Sequence, residues 1–208
     1  CLLSRGLGDV YKRQLRKELL DSLGIERARG LLVRMGFASG LRDGEVAVRE
    51  RRAGMRAEDA FMLGPRLHSI EGIVSVQKTQ LEFDIATRQF YGEFLWENSW
   101  ECEAHVADFG YGEDPQCWSQ IGYASGYTTA FMGRMVVFKE VECTSMGDSR
   151  CRIVGQPAED WHDDHYLDYF RQHHVAENLI EFNLGLQHIR RLQPVSYTHL
   201  TLPTILLV

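Results

Sequence analysis

Cys117, Glu140, Cys143 and Cys151 follow the spacing C-x22-E-x2-C-x7-C. If one metal ion gathers them, separate stretches of the chain must meet at a point, and few folds allow that. Zinc takes four tetrahedral ligands and favours thiolates. The close triplet Glu140, Cys143 and Cys151 falls where two extended segments and a turn present side chains together. Cys117 would join from elsewhere. Cys102 is a rival fourth ligand. It lies in a predicted helix, Ser99 to Asp108, where a small buried apolar group is its alternative role. Free cysteines of a reduced cytosolic protein are the plain reading of all of them.

Both ends of the chain look foreign. Gly8 to Gln14 is encoded, in one frame, by GGA GAT GTG TAT AAG AGA CAG. The reverse complement of that DNA, in another frame, gives Pro194 to Leu200. One inverted repeat therefore flanks the insert, as a translated sequencing adaptor would. Residues 1–14 and 194–208 are expected to be non-native tails and are set aside. The remainder, about Leu15 to Gln193, is expected to be a piece of a longer protein.

Charge narrows the partners. Against 23 Lys and Arg stand 29 Asp and Glu, a net charge of −6. Such a chain is a poor candidate for direct nucleic-acid binding. The apolar tail Leu200 to Val208 is short and broken by proline, so no membrane span is expected. No signal peptide is recognisable, and unevenly spaced cysteines fit a metal site in a cytoplasmic protein better than a disulfide framework.

Apolar residues at helical spacing, Leu15, Leu19, Leu20 and Leu23, then Ile25, Ala28, Leu31, Leu32 and Met35, predict helix from 15 to about 39. Residues 41–58 are rich in Arg, Glu and Gly and read as a mobile connector. Residues 15–58 thus form an N-terminal helical, dimerising part with its connector. Ala57 to Ile70 predicts a second helix, kinked or broken at Pro65. Gly72 to Phe83 and Arg88 to Trp96 form an antiparallel hairpin about Asp84 to Thr87. Helices follow at Ser99 to Asp108, with Ser99 as N-cap, and at Gln116 to Phe131. Gly133 to Cys143 and Cys151 to Gly155 make a second hairpin turning at Ser145 to Asp148. The expected class is α+β, antiparallel hairpins packed with helices and stapled by zinc.

A short repeat stands out. Met35 to Gly40 (MGFASG) echoes Ile121 to Gly126 (IGYASG). Glycine in a helix costs up to about 1 kcal/mol against alanine, so paired glycines need a reason. Close helix–helix approach supplies one, between the two repeats or across a dimer axis. Ala158 to His174 carries His162, His165, His173 and His174 among acidic residues and reads as a solvated connector, with a second metal site as the alternative. Leu179, Phe182, Leu186 and Ile189 keep a/d spacing, as at the start of a signalling helix. Residues 161–193 are therefore linker and helix start.

The hairpin and second helix share aromatic residues: Phe61, Phe83, Phe90, Tyr91, Phe94 and Trp96. Two groups there have polar handles. The Trp96 indole only donates, and a neutral His68 imidazole accepts. Together they could hold one hydroxyl, in an apolar pocket of the form small-molecule sites take. Ordinary core packing is the alternative.

Phe94 to Ser99 (FLWENS), Gln120 to Gly126 (QIGYASG), Phe131 to Arg134 (FMGR) and Glu140 to Cys143 (EVEC) strongly resemble the sensor region of aromatic-responsive, sigma-54-dependent transcriptional activators of the NtrC class, which respond to phenol, toluene or xylene. The resemblance covers residues 15–160 and includes an N-terminal activator-specific part and a 4-vinyl reductase-type domain, here 59–160. It implies zinc ligands Cys117, Glu140, Cys143 and Cys151, with Cys102 outside the set. It implies hydroxyl contacts from His68 and Trp96, and pocket walls from Phe61, Phe94, Phe138 and Tyr123. A homodimer is implied, leading to an AAA+ ATPase and a helix-turn-helix domain. No G-x-x-x-x-G-K-[ST] occurs in this chain. An enzyme or tetrapyrrole-handling protein is the rival class, against which no dinucleotide fingerprint or nucleophile–base set is found. A structural dimerisation module is the third.

Overall fold

The computed structural model describes residues 7–50, 54–162 and 164–171. Helices α1 (Leu7–Leu23) and α2 (Ile25–Arg49) are joined at Gly24, whose φ of 76° lets the chain turn within a single residue. Helix α1 thus begins within the segment read as foreign. Helix α2 runs ten residues past the expected end near 39, so most of the predicted connector is helical. The cause is tertiary. Gly40, Gly44 and Ala47 are buried, and both glycines lie against helix α6 (Trp118–Met132), which overrides the weak apolar periodicity.

The repeated glycines meet each other within one chain. A Cβ built on Gly36 would stand 1.9 Å from the Ser119 carbonyl oxygen, and one on Gly40 would stand 2.1 Å from that of Tyr123. Reciprocally, Gly122 and Gly126 face the Val33 and Phe37 carbonyl oxygens, each at 2.0 Å. Only hydrogen fits there, so the backbones of α2 and α6 touch along this stretch. Gly126→Ala is expected to force the helices apart and to lower stability by about 2 kcal/mol. Urea unfolding reads this directly, and an unchanged midpoint would contradict the close crossing.

Helices α3 (Ala57–Phe61) and α4 (Leu63–Ile70) replace the single predicted helix. The break falls at Met62, and Pro65 sits in the first turn of α4, where no intrahelical N–H is required. Strands β1 (Ser75–Asp84) and β2 (Gln89–Glu97) form the first hairpin, and β3 (Val136–Glu142) and β4 (Cys151–Pro157) the second. Periodicity does not reveal that β2 pairs antiparallel with β4, giving one four-stranded sheet in the order β1-β2-β4-β3. Along β2, Phe90, Phe94 and Trp96 are buried while Gln89 and Glu97 are exposed. That alternation aims one face of the sheet at α3 and α6. Tyr91 therefore points away from this face, toward Glu93 on its own strand.

Helix α5 (Trp100–Phe109) starts from Ser99, whose hydroxyl accepts from the Cys102 amide at 3.4 Å. Helix α7 (Asp164–Arg171) corrects the expectation of a solvated connector. Leu167 and Phe170 are buried, and Phe170 meets Phe37 edge-on at 6.1 Å. Acidic and histidine neighbours mask this apolar stripe in the sequence. The predicted a/d residues from Leu179 to Ile189, and the side chains of His165, His173 and His174, lie outside the described residues. Among the described residues no helix is long and apolar enough to cross a membrane.

Candidate functional site

Two features lie side by side in the fold, and the register of the sheet links them. Trp96 on β2 pairs with Cys151 on β4, so the residue that faces one feature is opposite the residue that builds the other.

The first feature is an aromatic cavity between the inner face of the sheet and helices α3, α4 and α6. It encloses about 370 Å³ of space, mouth included. Phe61, His68, Phe94, Trp96, Tyr123 and Phe138 all border it. Pairing explains part of this convergence. Phe94 is opposite Ile153, and Phe138 is opposite Gly155, where any Cβ would lie 2.4 Å from the Phe138 ring. Phe83 and Phe90 instead pack with Phe61 at 5.6 Å each and form aromatic core.

Sequence reasoning missed Tyr127, which also borders the cavity. It follows Tyr123 by one helical turn, and that i,i+4 spacing was the available signal. Its hydroxyl accepts from the Gly64 amide at 3.1 Å and donates to the Ala60 carbonyl at 3.3 Å. Tyr127 thereby ties α3 and α4 to α6. Tyr123 donates to Asp43 Oδ2 at 2.9 Å, which ties the cavity wall to α2. The His68 ring lies 3.8 Å from the Tyr123 ring, centroid to centroid. Burial pushes the His68 pKa down to about 4, so the imidazole is neutral near pH 7 and one ring nitrogen can accept.

The second feature is a buried cluster of four thiols and a carboxylate: Cys102, Cys117, Glu140, Cys143 and Cys151, with ligand atoms within 4.8 Å of one another. Each element delivers its donor for a local reason. Cys117 precedes α6, Cys102 sits in the first turn of α5, and the irregularity between Glu140 and Glu142 ends regular pairing of β3. After Cys143 the chain makes a 3₁₀ turn, Thr144–Met146, closed by Gly147 at φ 98°. The Asp148 carboxylate accepts from the Cys143 amide at 2.8 Å, and the Thr144 amide points at the Cys151 sulfur at 3.4 Å.

The resemblance sets Cys102 outside this group. The structure places its sulfur 3.1 Å from that of Cys117 and 3.3 Å from that of Cys143. It is a full member of the cluster, not a packing residue.

The donor set suits a divalent metal. Burial pushes the Cys117 thiol and the Glu140 carboxyl above their ordinary values. Charging such groups without a cation is costly. Glu140 Oε1 is buried with no protein partner, while Oε2 accepts from the Cys117 amide at 3.1 Å. Thiolates with one carboxylate in reach are donors that zinc accepts.

A buried ion pair braces the cluster from outside. Glu101 Oε2 accepts from the Ser119 and Gln120 amides at 2.9 and 3.2 Å, capping α6 beside Cys117. Its other oxygen lies 3.8 Å from Arg16 of α1, and Arg16 also donates to Gln116 Oε1 at 3.0 Å and lies over the Trp118 ring. A helix-dipole role is all that the local sequence suggests for Glu101; its reach across to α6 depends on tertiary structure.

A family described as "Activator of aromatic catabolism" matches residues 7–84, and the 4-vinyl reductase-type domain matches residues 96–157. The first match begins inside the segment expected to be foreign. The chain is 35% identical over 178 residues to the phenol regulator MopR of Acinetobacter guillouiae, covering 85% of this chain and 32% of that protein. It is 37% identical over 176 residues to the transcriptional regulatory protein XylR of Pseudomonas putida, covering 84% and 31% respectively. The chain thus spans about a third of the length of these curated relatives. Among solved structures, the phenol-responsive sensory domain of the transcription activator PoxR, crystallised with phenol, is similar with a TM-score of 0.74 at 46% identity. That match covers 78% of this chain and 81% of the other.

Proposed function

The chain belongs to the family of phenol-responsive sensory domains of sigma-54 transcription activators, and from that premise we propose that it senses phenol or a related mono-aromatic. One observation supports this most. A neutral His68 and the Trp96 indole border a single cavity whose other walls are aromatic and aliphatic. A phenol fits that chemistry. Its ring packs against Phe61, Phe94, Phe138, Tyr123 and Tyr127, and its hydroxyl donates to His68 and accepts from Trp96. Nothing in this arrangement needs bond making or breaking, and we read the domain as non-catalytic.

The thiol cluster is read as a structural zinc site. Cys117, Cys143 and Cys151 supply three ligands, and the fourth comes from Glu140 or Cys102, both within reach. When bound, zinc would supply a closed, tetrahedral crosslink and no open position for water. It would fasten the β3–β4 hairpin to the start of α6, and through the Trp96–Cys151 pair it would steady one wall of the cavity.

In the full-length activator, ligand binding would bias a two-state equilibrium and relieve repression of an AAA+ ATPase joined to a DNA-binding domain, in a homodimer. Such coupling requires that the ligand favour one state. Tyr123–Asp43 and the tight α2–α6 crossing give the cavity a rigid connection to α2. Isothermal calorimetry with phenol tests the reading. Saturable binding in the micromolar range, with phenol recovered unchanged, is expected. Absence of binding at millimolar phenol, or turnover, would overturn it.

A further inference from the structure

We propose that Cys102, and not Glu140, is the fourth zinc ligand, so that this chain holds its metal in an all-sulfur site of Cys102, Cys117, Cys143 and Cys151. The inference rests on the zinc reading above and concerns which atoms complete it.

The distances carry the argument. The Cys102 sulfur lies 3.1, 3.3 and 3.6 Å from those of Cys117, Cys143 and Cys151. Cys117 and Cys143 stand 3.8 and 4.0 Å from Cys151. Zinc–sulfur bonds of about 2.3 Å imply sulfur–sulfur edges of about 3.8 Å in a regular tetrahedron. The four sulfurs bracket that edge and surround one point, with Cys102 as the apex over the other three.

Glu140 has other work. Its Oε2 accepts from the Cys117 amide at the start of α6. A carboxylate bonded to the backbone of a ligand residue is placed to orient that ligand from outside the metal shell. Its Oε1, buried and unpartnered, is the competing donor.

Hydrogen-bond donors are also arranged for sulfur anions. Ser99 Oγ accepts from the Cys102 amide and from Gln120 Nε2, which leaves its own hydrogen for the Cys117 sulfur 3.1 Å away. Ser145 Oγ lies 2.9 Å from the Cys143 sulfur, and the Thr144 amide faces Cys151. These donors spread the excess negative charge that four thiolates leave on one zinc ion. Cys102 is delivered by the α5 N-cap itself, so its position follows from Ser99 and needs no flexible loop.

Zinc K-edge X-ray absorption on the purified, zinc-loaded chain counts the sulfur neighbours. Four are expected in the wild type and in Glu140→Gln, and three in Cys102→Ser. Competition with a chelating zinc indicator should show Cys102→Ser weakening zinc by more than about 100-fold, beyond the range of outer-shell changes, and Glu140→Gln by about tenfold. The wild-type count alone decides if a variant does not fold. Three sulfurs and one oxygen in the wild type would overturn the proposal and leave the zinc site standing. A folded chain without zinc would overturn both.

Discussion

Cys143→Ala is expected to abolish the folded state of the 4-vinyl reductase-type part at 25 °C, with zinc content falling below half an equivalent. Structural zinc contributes roughly 10 kcal/mol or more of folding free energy at pH 7. Small domains have about 5–15 kcal/mol in total, so the loss is of the order of the whole stability. Cys143 is central to this. Its sulfur lies within reach of all the other donors, and its amide and carbonyl organise the turn that carries Cys151 into place. Removing zinc with a strong chelator should give the same result without mutation, reversed by added zinc. Circular dichroism melts paired with metal analysis provide the measurement. A chelated protein that is metal-free and melts as before would show that the cluster is a group of packed thiols and not a crosslink. Glu140→Ala should cost much less, because it removes an outer hydrogen bond and leaves the sulfurs intact.

How much of this is readable beforehand depends on the range of the interactions involved. Both hairpins and the helices flanking them follow from local periodicity and turn residues, and the structure places them within a few residues of expectation. Long-range features do not follow. Nothing in residues 41–49 announces a helix, because the reason for it is Tyr127 and Ala130 lying across α6 from Gly44. The pairing of β2 with β4 is likewise invisible to a pattern read along one strand, yet it sets Trp96 beside Cys151 and joins cavity to cluster. Glu101 reads locally as a helix-dipole residue since its partners, Ser119 and Gln120, are remote in sequence.

Cys102 teaches a different lesson. Resemblance to a family favours a ligand set that leaves it out, while the local reading alone keeps it as a rival. Geometry returns it to the cluster through the Ser99 cap. For the cavity, the six residues named from sequence and resemblance do converge, and the omission of Tyr127 reflects attention to strands over the helix that forms the opposite wall. Which of these residues contacts a ligand is a question for binding, and His68 is where it is sharpest.

His68→Ala should weaken phenol by about 100-fold, roughly 3 kcal/mol, while changing toluene by less than about threefold. Phenol bound beside alanine would bury a hydroxyl hydrogen with no acceptor. Toluene has no such group, and its ring contacts with Phe61, Phe94 and Tyr127 remain. Calorimetry on the two ligands with the same protein gives the ratio, and equal losses for both would mean that His68 shapes the wall without holding the hydroxyl. Acid provides an independent arm. The pKa of His68 is depressed to about 4 from 6.5, with burial as the cause. The neutral ring therefore persists as pH falls from 7 to 5, and phenol affinity should hold over that range. Near pH 4 the ring takes a proton, donates from both nitrogens and no longer accepts, so phenol should be lost while toluene is affected less. The same depression bears on folding. Stability from His68 is fully present above pH 6.5 and is lost as pH falls from there through about 4, since the unfolded chain takes up the proton first. His68→Gln, which can accept but does not titrate, should keep phenol binding closer to wild type and flatten both acid dependences. A variant that keeps the full acid loss would assign it to other groups, the thiol cluster foremost.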